Sequence, residues 1–323
     1  MRCHFFSIFG VLALIVLQAP QASAQTSCDS RIQREIARHN RAMESYYRSQ
    51  SGGQDGIKAG NQTRYLVGTN PREAVLLVHG FMASPFEVQN LGRGLNRLGL
   101  SVLMPLLPGF GSSADIANQS HASQWQQALR SHLSLVASCY DRITLVGFSL
   151  GGALALNFAL SEAPEDRVLQ SKITRLGLVS PLVKSATKLS GTINNLTRLF
   201  ANSISIRKLF DLTQNPDLLT PLKHPSFYNS AIPLHAVAQT LKLSRKLQRT
   251  PRWLKSSIPT YLSVSEKDQT IDWQAAVKFS RTHFRSLEMR RFDGSAAEEH
   301  QLPLSPKAFQ ITRDLKNLIF KAF

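Results

Sequence analysis

One pentapeptide constrains this chain more than any other feature. Gly147-Phe148-Ser149-Leu150-Gly151 stands between a β-branched apolar run at 142–146 and a small-residue, helix-compatible stretch at 152–156. A strand, then G-x-S-x-G, then a helix is the layout of a nucleophile elbow. The turn is so sharp that the serine backbone is strained, and the flanking glycines let neighbouring chains approach closely. The serine Oγ then stands clear of the sheet, with the first amides of the helix aimed at the reacting centre.

The elbow demands a sheet, and the rest of the pattern supplies one. After Pro71, short apolar runs alternate with amphipathic helices. Strands are expected at 73–78, 101–106, 142–148, 173–179, 260–264 and 287–292. Helices are expected at 85–98, 122–137, 150–160, 273–282 and 306–322. This rhythm implies an α/β fold, a mostly parallel central sheet with helices on both faces. Residues 182–257 break it with short helical stretches separated by Asn215-Pro216, Thr220-Pro221 and Pro225, one stronger helix at 233–247, and no buried-strand pattern. Such an insertion is where a cap sits. Before the core, residues 25–64 form an extension whose helix at 25–50 carries Ile32, Ile36, Met43 and Tyr47, followed by a glycine-rich loop at 51–56.

The N-terminus has the layout of an export leader over residues 1–24. Arg2 gives a positive start, residues 5–17 an apolar stretch, and Ala22-Ser23-Ala24 a cleavage site before Gln25. The competing reading is an uncleaved anchor, but about thirteen apolar residues span a bilayer poorly. Export leaves Cys28 and Cys139, which pair in a disulfide or remain two buried thiols. The net charge is +17, and residues 182–257 hold twelve lysines and arginines against two acids. That basic cap is either a solvated face or a contact for an anionic membrane surface; no nucleic-acid motif accompanies it.

An activated serine needs a base, an orienting carboxylate and two oxyanion donors. The turn His79-Gly80-Phe81-Met82 follows the strand at 73–78 and, with the residue after the serine, nominates the N–H groups of Phe81 and Leu150 as an oxyanion hole. His79 itself reads as a brace for that turn. The acid belongs in the loop after the strand at 260–264, where Asp268 is the choice and Glu266 and Asp272 are rivals. His300 follows the last strand and completes the chain order Ser149, Asp268, His300. His121, His132, His224, His235 and His283 read as surface or cap residues. Neither a metal-ligand cluster nor a phosphate-cradling loop is present, so no cofactor is expected.

Taken together, residues 77–81 with Ser84-Pro85, Leu107-Pro108-Gly109-Phe110-Gly111, the elbow at 147–152, the Asp268 loop and His300 resemble an α/β-hydrolase. Within that superfamily the chain is similar to carboxylesterases and monoacylglycerol lipases over about residues 65–323. The resemblance implies a core at 65–181 and 258–323, with the cap at 182–257 inserted after the sixth strand of the fold. It also implies a serine hydrolase that cleaves small or lipid-like carboxylic esters through an acyl-enzyme. The leader at 1–24 makes it an exported one; it departs from the family pattern, as do the very basic cap and the Glu-Glu-His approach to His300. Leu196, Leu199, Phe200, Ile204, Leu209 and Phe210 line an acyl pocket or pack on the core. Two other readings remain: a peptidase or amidase on the same scaffold, and a non-catalytic lipid-binding homologue.

Overall fold

The computed structural model describes residues 9–186, 203–205, 220–229, 231–293 and 300–321. Its strands are β1 (Arg64–Leu66), β2 (Glu73–Val78), β3 (Ser101–Met104), β4 (Arg142–Phe148), β5 (Ile173–Val179), β6 (Ser203–Ser205), β7 (Ala231–Pro233), β8 (Thr260–Ser265) and β9 (Leu287–Phe292). All six residues of β2 are buried, and the alternation of a strand divides them between two cores. Ala74, Leu76 and Val78 join one apolar cluster, and Val75 and Leu77 join the cluster on the opposite face. β4 divides likewise, with Ile143 and Leu145 on the first side and Val146 and Phe148 on the second. A sheet buried on both faces is the setting in which parallel strands occur. The order is β1-β3-β2-β4-β5-β8-β9, and only β1 runs antiparallel to its neighbour.

The helices are α1 (Phe9–Gln50), α2 (Pro85–Asn96), α3 (Ala114–Ala117), α4 (Ala122–Ala137), α5 (Leu150–Ala159), α6 (Pro164–Lys172), α7 (Thr220–Lys223), α8 (Leu234–Gln248), α9 (Trp273–His283) and α10 (Lys307–Phe320). α2 and α10 cover one face with Val88, Leu91, Leu95, Ile311 and Leu315. α4, α5, α8 and α9 cover the other, through residues such as Trp125, Leu154, Leu247 and Val277. The local reasons are plain for α2: Ser84 Oγ accepts the Phe86 N–H at 3.3 Å, and Pro85 occupies the first helical turn.

The expected core elements are present, several with the expected ends. β1, α3 and α6 were not anticipated. β1 has only three residues, too few to show an alternation. In α6 only Asp166 is buried, so the helix has no apolar stripe to announce it. The insertion between β5 and β8 follows the fifth strand in chain order rather than the sixth. It also contains a small antiparallel ladder, β6 with β7, where no strand was expected. Leu196, Leu199, Phe200, Leu209 and Phe210 lie outside the described residues, and of Ile204 only the backbone is described.

The N-terminal extension packs on the core. Ile32, Ile36, Met43 and Tyr47 are all buried, and their spacing puts them on one face of α1. Cys28 and Cys139 form a disulfide across 5.6 Å between Cα atoms, joining α1 to the turn after α4. Beside it Asp29 accepts from Tyr65 at 2.5 Å and from Tyr140 at 3.0 Å. The helix α1 runs without a break through Ala24. Among the described residues, no helix is long and apolar enough to cross a membrane.

Candidate active site

The elbow forms because β4 must turn directly into α5. Ser149 sits at φ 51° and ψ −112°, a region side chains rarely occupy, at a cost of about 1–3 kcal/mol. Its neighbours hold it there: Ser149 N donates to Val179 O at 3.0 Å, and Leu182 N donates to Ser149 O at 3.0 Å. Two glycines are required by contact. A Cβ on Gly151 would lie 2.3 Å from Val78 O, and one on Gly147 would lie 2.3 Å from Gly151 O. Both partners are backbone, so neither can swing aside.

The loops after β8 and β9 bring the other two residues to the serine. Asp268 Oδ1 accepts the N–H groups of Thr270 and Ile271, each at 2.9 Å, and Oδ2 stands 2.8 Å from His300 Nδ1. His300 Nε2 lies 3.0 Å from Ser149 Oγ. An ionised carboxylate only accepts, so Nδ1 carries the imidazole proton and donates it to Asp268. Nε2 is thereby left to accept from the serine hydroxyl. All three side chains are buried.

The rival carboxylates are occupied elsewhere. Glu266 pairs with Arg291 at 3.2 Å on the surface. Asp272 caps α9 by accepting from Ala275 N at 2.9 Å and pairs with Lys184 at 3.0 Å.

Leu150 is the first residue of α5, where backbone N–H groups have no intrahelical acceptor. Its N–H and that of Phe81 make no hydrogen bond among the described residues. The turn bearing Phe81 is held from behind. His79 is fully buried; its Nδ1–H donates to Gly80 O at 2.7 Å, and its Nε2 accepts from Leu107 N at 3.1 Å. Desolvation brings its pKa down to about 4, so it is a neutral brace, as expected from the sequence.

Sequence reasoning missed Glu87. Its carboxylate is buried, with Oε2 accepting Gly80 N at 2.7 Å and Oε1 accepting the Tyr228 hydroxyl at 2.9 Å. Burial raises its pKa to about 7, against the opposing pull of the Gly80 N–H and the Tyr228 hydroxyl. A glutamate in the first turn of a helix ordinarily reads as a dipole partner, which hid this role. His132 and His283 also differ from expectation: both are buried, with Nδ1 on the carbonyls of Ala128 and Leu254. Among the described residues, no group of three or more His, Cys, Asp or Glu could hold a metal.

The strand order, the elbow after β4 and the loops after β8 and β9 define an α/β-hydrolase fold. The chain belongs to the Hydrolase_4 family, described as serine aminopeptidase S33, which matches residues 69–295. Over 85 residues it is 32% identical to a carboxylesterase of Bacillus subtilis (strain 168), covering 26% of this chain and 35% of that protein. Over 85 residues it is also 28% identical to a thermostable monoacylglycerol lipase of Bacillus sp. (strain H-257), covering 26% of this chain and 34% of that protein. The matched segment thus spans about a third of the length of either relative. Among solved structures, one from a study of the metagenome-derived lipolytic enzymes LipS and LipT superposes with a TM-score of 0.63 at 18% identity. It covers 82% of this chain and 100% of that one. That likeness is one of fold.

Proposed function

We propose that this protein is an exported serine hydrolase that cleaves carboxylic esters through an acyl-enzyme, with Ser149 as nucleophile, His300 as base and Asp268 as its orienting carboxylate. The observation that carries this reading is the continuous hydrogen-bonded path from Asp268 through His300 to a serine on a strained elbow. In the first step Ser149 Oγ attacks the ester carbonyl as its proton passes to His300 Nε2. The oxyanion is met by the N–H groups of Phe81 and Leu150, each worth about 3 kcal/mol in barrier height. The tetrahedral intermediate collapses, and His300 returns the proton to the leaving alcohol. Water then attacks the acyl-enzyme with His300 again as base, releasing the acid and restoring the Ser149 hydroxyl. Asp268 holds the imidazole in this tautomer and stabilises the imidazolium.

Ester rather than amide cleavage is favoured by the names of the two Bacillus relatives, a carboxylesterase and a monoacylglycerol lipase. The family description, serine aminopeptidase, supports the second reading, an amidase or peptidase on the same groups. An intact hydrogen-bonded path is not what a non-catalytic binding homologue needs to keep. Export is supported by the leader-like N-terminus and the Cys28–Cys139 disulfide, a bond that persists in oxidising compartments. The basic cap suits approach to an anionic, lipid-bearing surface.

Purified protein is assayed on p-nitrophenyl esters and monoacylglycerols of graded chain length, beside amino-acid p-nitroanilides. Ester turnover with fluorophosphonate labelling, both absent in Ser149→Ala, is the expected result. Turnover of the anilides alone selects the second reading, and labelling that persists in Ser149→Ala removes the serine from its assigned role.

A further inference from the structure

A cavity of about 990 Å³ opens at the far end of α5, between the start of α4, the loop after α5 and one face of α8. Leu160, at its wall, lies beyond the last turn of α5, and ten helical residues place it about 15 Å from Ser149. The cavity is therefore separate from the triad.

Its chemistry is two-sided. Lys242, Arg245, Lys246 and Arg249 line one wall, all exposed and spaced to share one face of α8 and its C-cap. None of the four has a carboxylate within ion-pair distance among the described residues. Glu162 is the one acid lining the cavity, and nearby Asp166 is already held by Arg130 at 2.6 and 2.8 Å. Four cations gathered around a concavity repel one another unless an anion is present. Ala163, Pro251 and Leu254 in the lining, with the methylene stems of the four cations, supply apolar surface, whereas Leu160, Leu243 and Leu247 beside them are buried. Trp253, next in sequence to the lining residue Leu254, is 68% exposed. Cations over apolar surface are the pairing that suits an amphiphile, whose chain takes the apolar contact and whose head takes the charge.

We propose that this cavity is a second ligand site that binds a phosphate-bearing amphiphile, its head on Lys242, Arg245, Lys246 and Arg249 and its chain against Pro251, Leu254 and the methylene stems of those cations. The site does not depend on the triad, so it stands or falls apart from the hydrolase reading.

The test uses dodecyl phosphate, which has no carboxylic ester for the serine to attack, kept below its micellar concentration and followed by calorimetry. Saturable binding near one equivalent is expected. It should weaken at least about tenfold in Lys242→Gln/Lys246→Gln, with the rate on a soluble p-nitrophenyl ester unchanged. Arg93→Gln/Arg97→Gln, an equal loss of charge on α2 and its C-cap, should leave the affinity as it was. Phosphatidylglycerol vesicles form a second arm: the same ordering of variants assigns a membrane headgroup as the source, and binding of the monomeric probe alone assigns a free amphiphile. The proposal is overturned if the two double variants behave alike, if inorganic phosphate binds as tightly as dodecyl phosphate, or if no saturable binding occurs.

Discussion

Glu87 makes the stability of this protein depend on pH in a direction opposite to that of most carboxylates. Its pKa moves from 4.5 to about 7, chiefly because the folded chain removes it from water. The folded state therefore binds a proton more tightly than the unfolded state. That advantage is complete below pH 4.5 and is lost as the pH rises through 7. A shift of this size corresponds to about 3 kcal/mol, and the part between pH 5 and pH 8 is about 2–3 kcal/mol. Glu87→Gln keeps the shape and removes the titration. The assay is urea unfolding of both proteins at half-unit steps over that range. Relative to the variant, the wild type should lose about 2–3 kcal/mol between pH 5 and pH 8. Any constant offset from altered hydrogen bonds at Gly80 and Tyr228 leaves that slope untouched. A difference between the proteins that stays flat with pH would refute the reasoning, because it would mean the carboxyl titrates alike in both states.

Ser149→Gly should abolish turnover yet raise stability by about 1 kcal/mol in thermal unfolding, since glycine adopts φ 51° without strain. Asp268→Asn should lower kcat by about 10⁴-fold with the fold intact, because an amide facing Nδ1 holds the wrong tautomer. The measurement is kcat on a p-nitrophenyl ester beside a circular dichroism spectrum. Replacing both Cys28 and Cys139 by serine should cost about 4 kcal/mol in the same urea assay, given a bridge between residues 111 apart.

What the sequence disclosed about this site was the part carried by short-range patterns. The elbow could be read because the strand, the glycines and the helix lie within fifteen residues, and Gly147 and Gly151 are each required by a backbone contact that leaves no room for a side chain. Asp268 and His300 could be read because the fold delivers loops in chain order at one edge of the sheet. Glu87 could not, since its meaning lies in Tyr228, 141 residues away, and in its burial. β1 and α6 were missed for a similar reason. One is too short to show a period, and the other is held by the Arg130–Asp166 pair rather than by an apolar stripe.

The same distinction explains why the N-terminal extension is more than an appendage. The Tyr47 hydroxyl donates to Phe110 O at 3.0 Å and accepts from Gly109 N at 2.8 Å, pinning the turn after β3 from below. Phe110 stacks on Trp125 at 5.3 Å and meets Phe81 edge-on at 5.5 Å. Leu107 in the same turn donates to His79. A contact on α1 is thus passed through one loop to the residue whose N–H faces the proposed oxyanion. Three supports converge on the 79–82 turn: α1 through Phe110, the Leu107 amide through His79, and the segment at 220–229 through Tyr228 and Glu87. Oxyanion donors act only if they are fixed before the charge appears. The turn also holds Met82 at φ 60°, a left-handed conformation that its surroundings must stabilise. The supports come from distant parts of the chain: Tyr47 on α1, Leu107 after β3, and Tyr228 between β6 and β7.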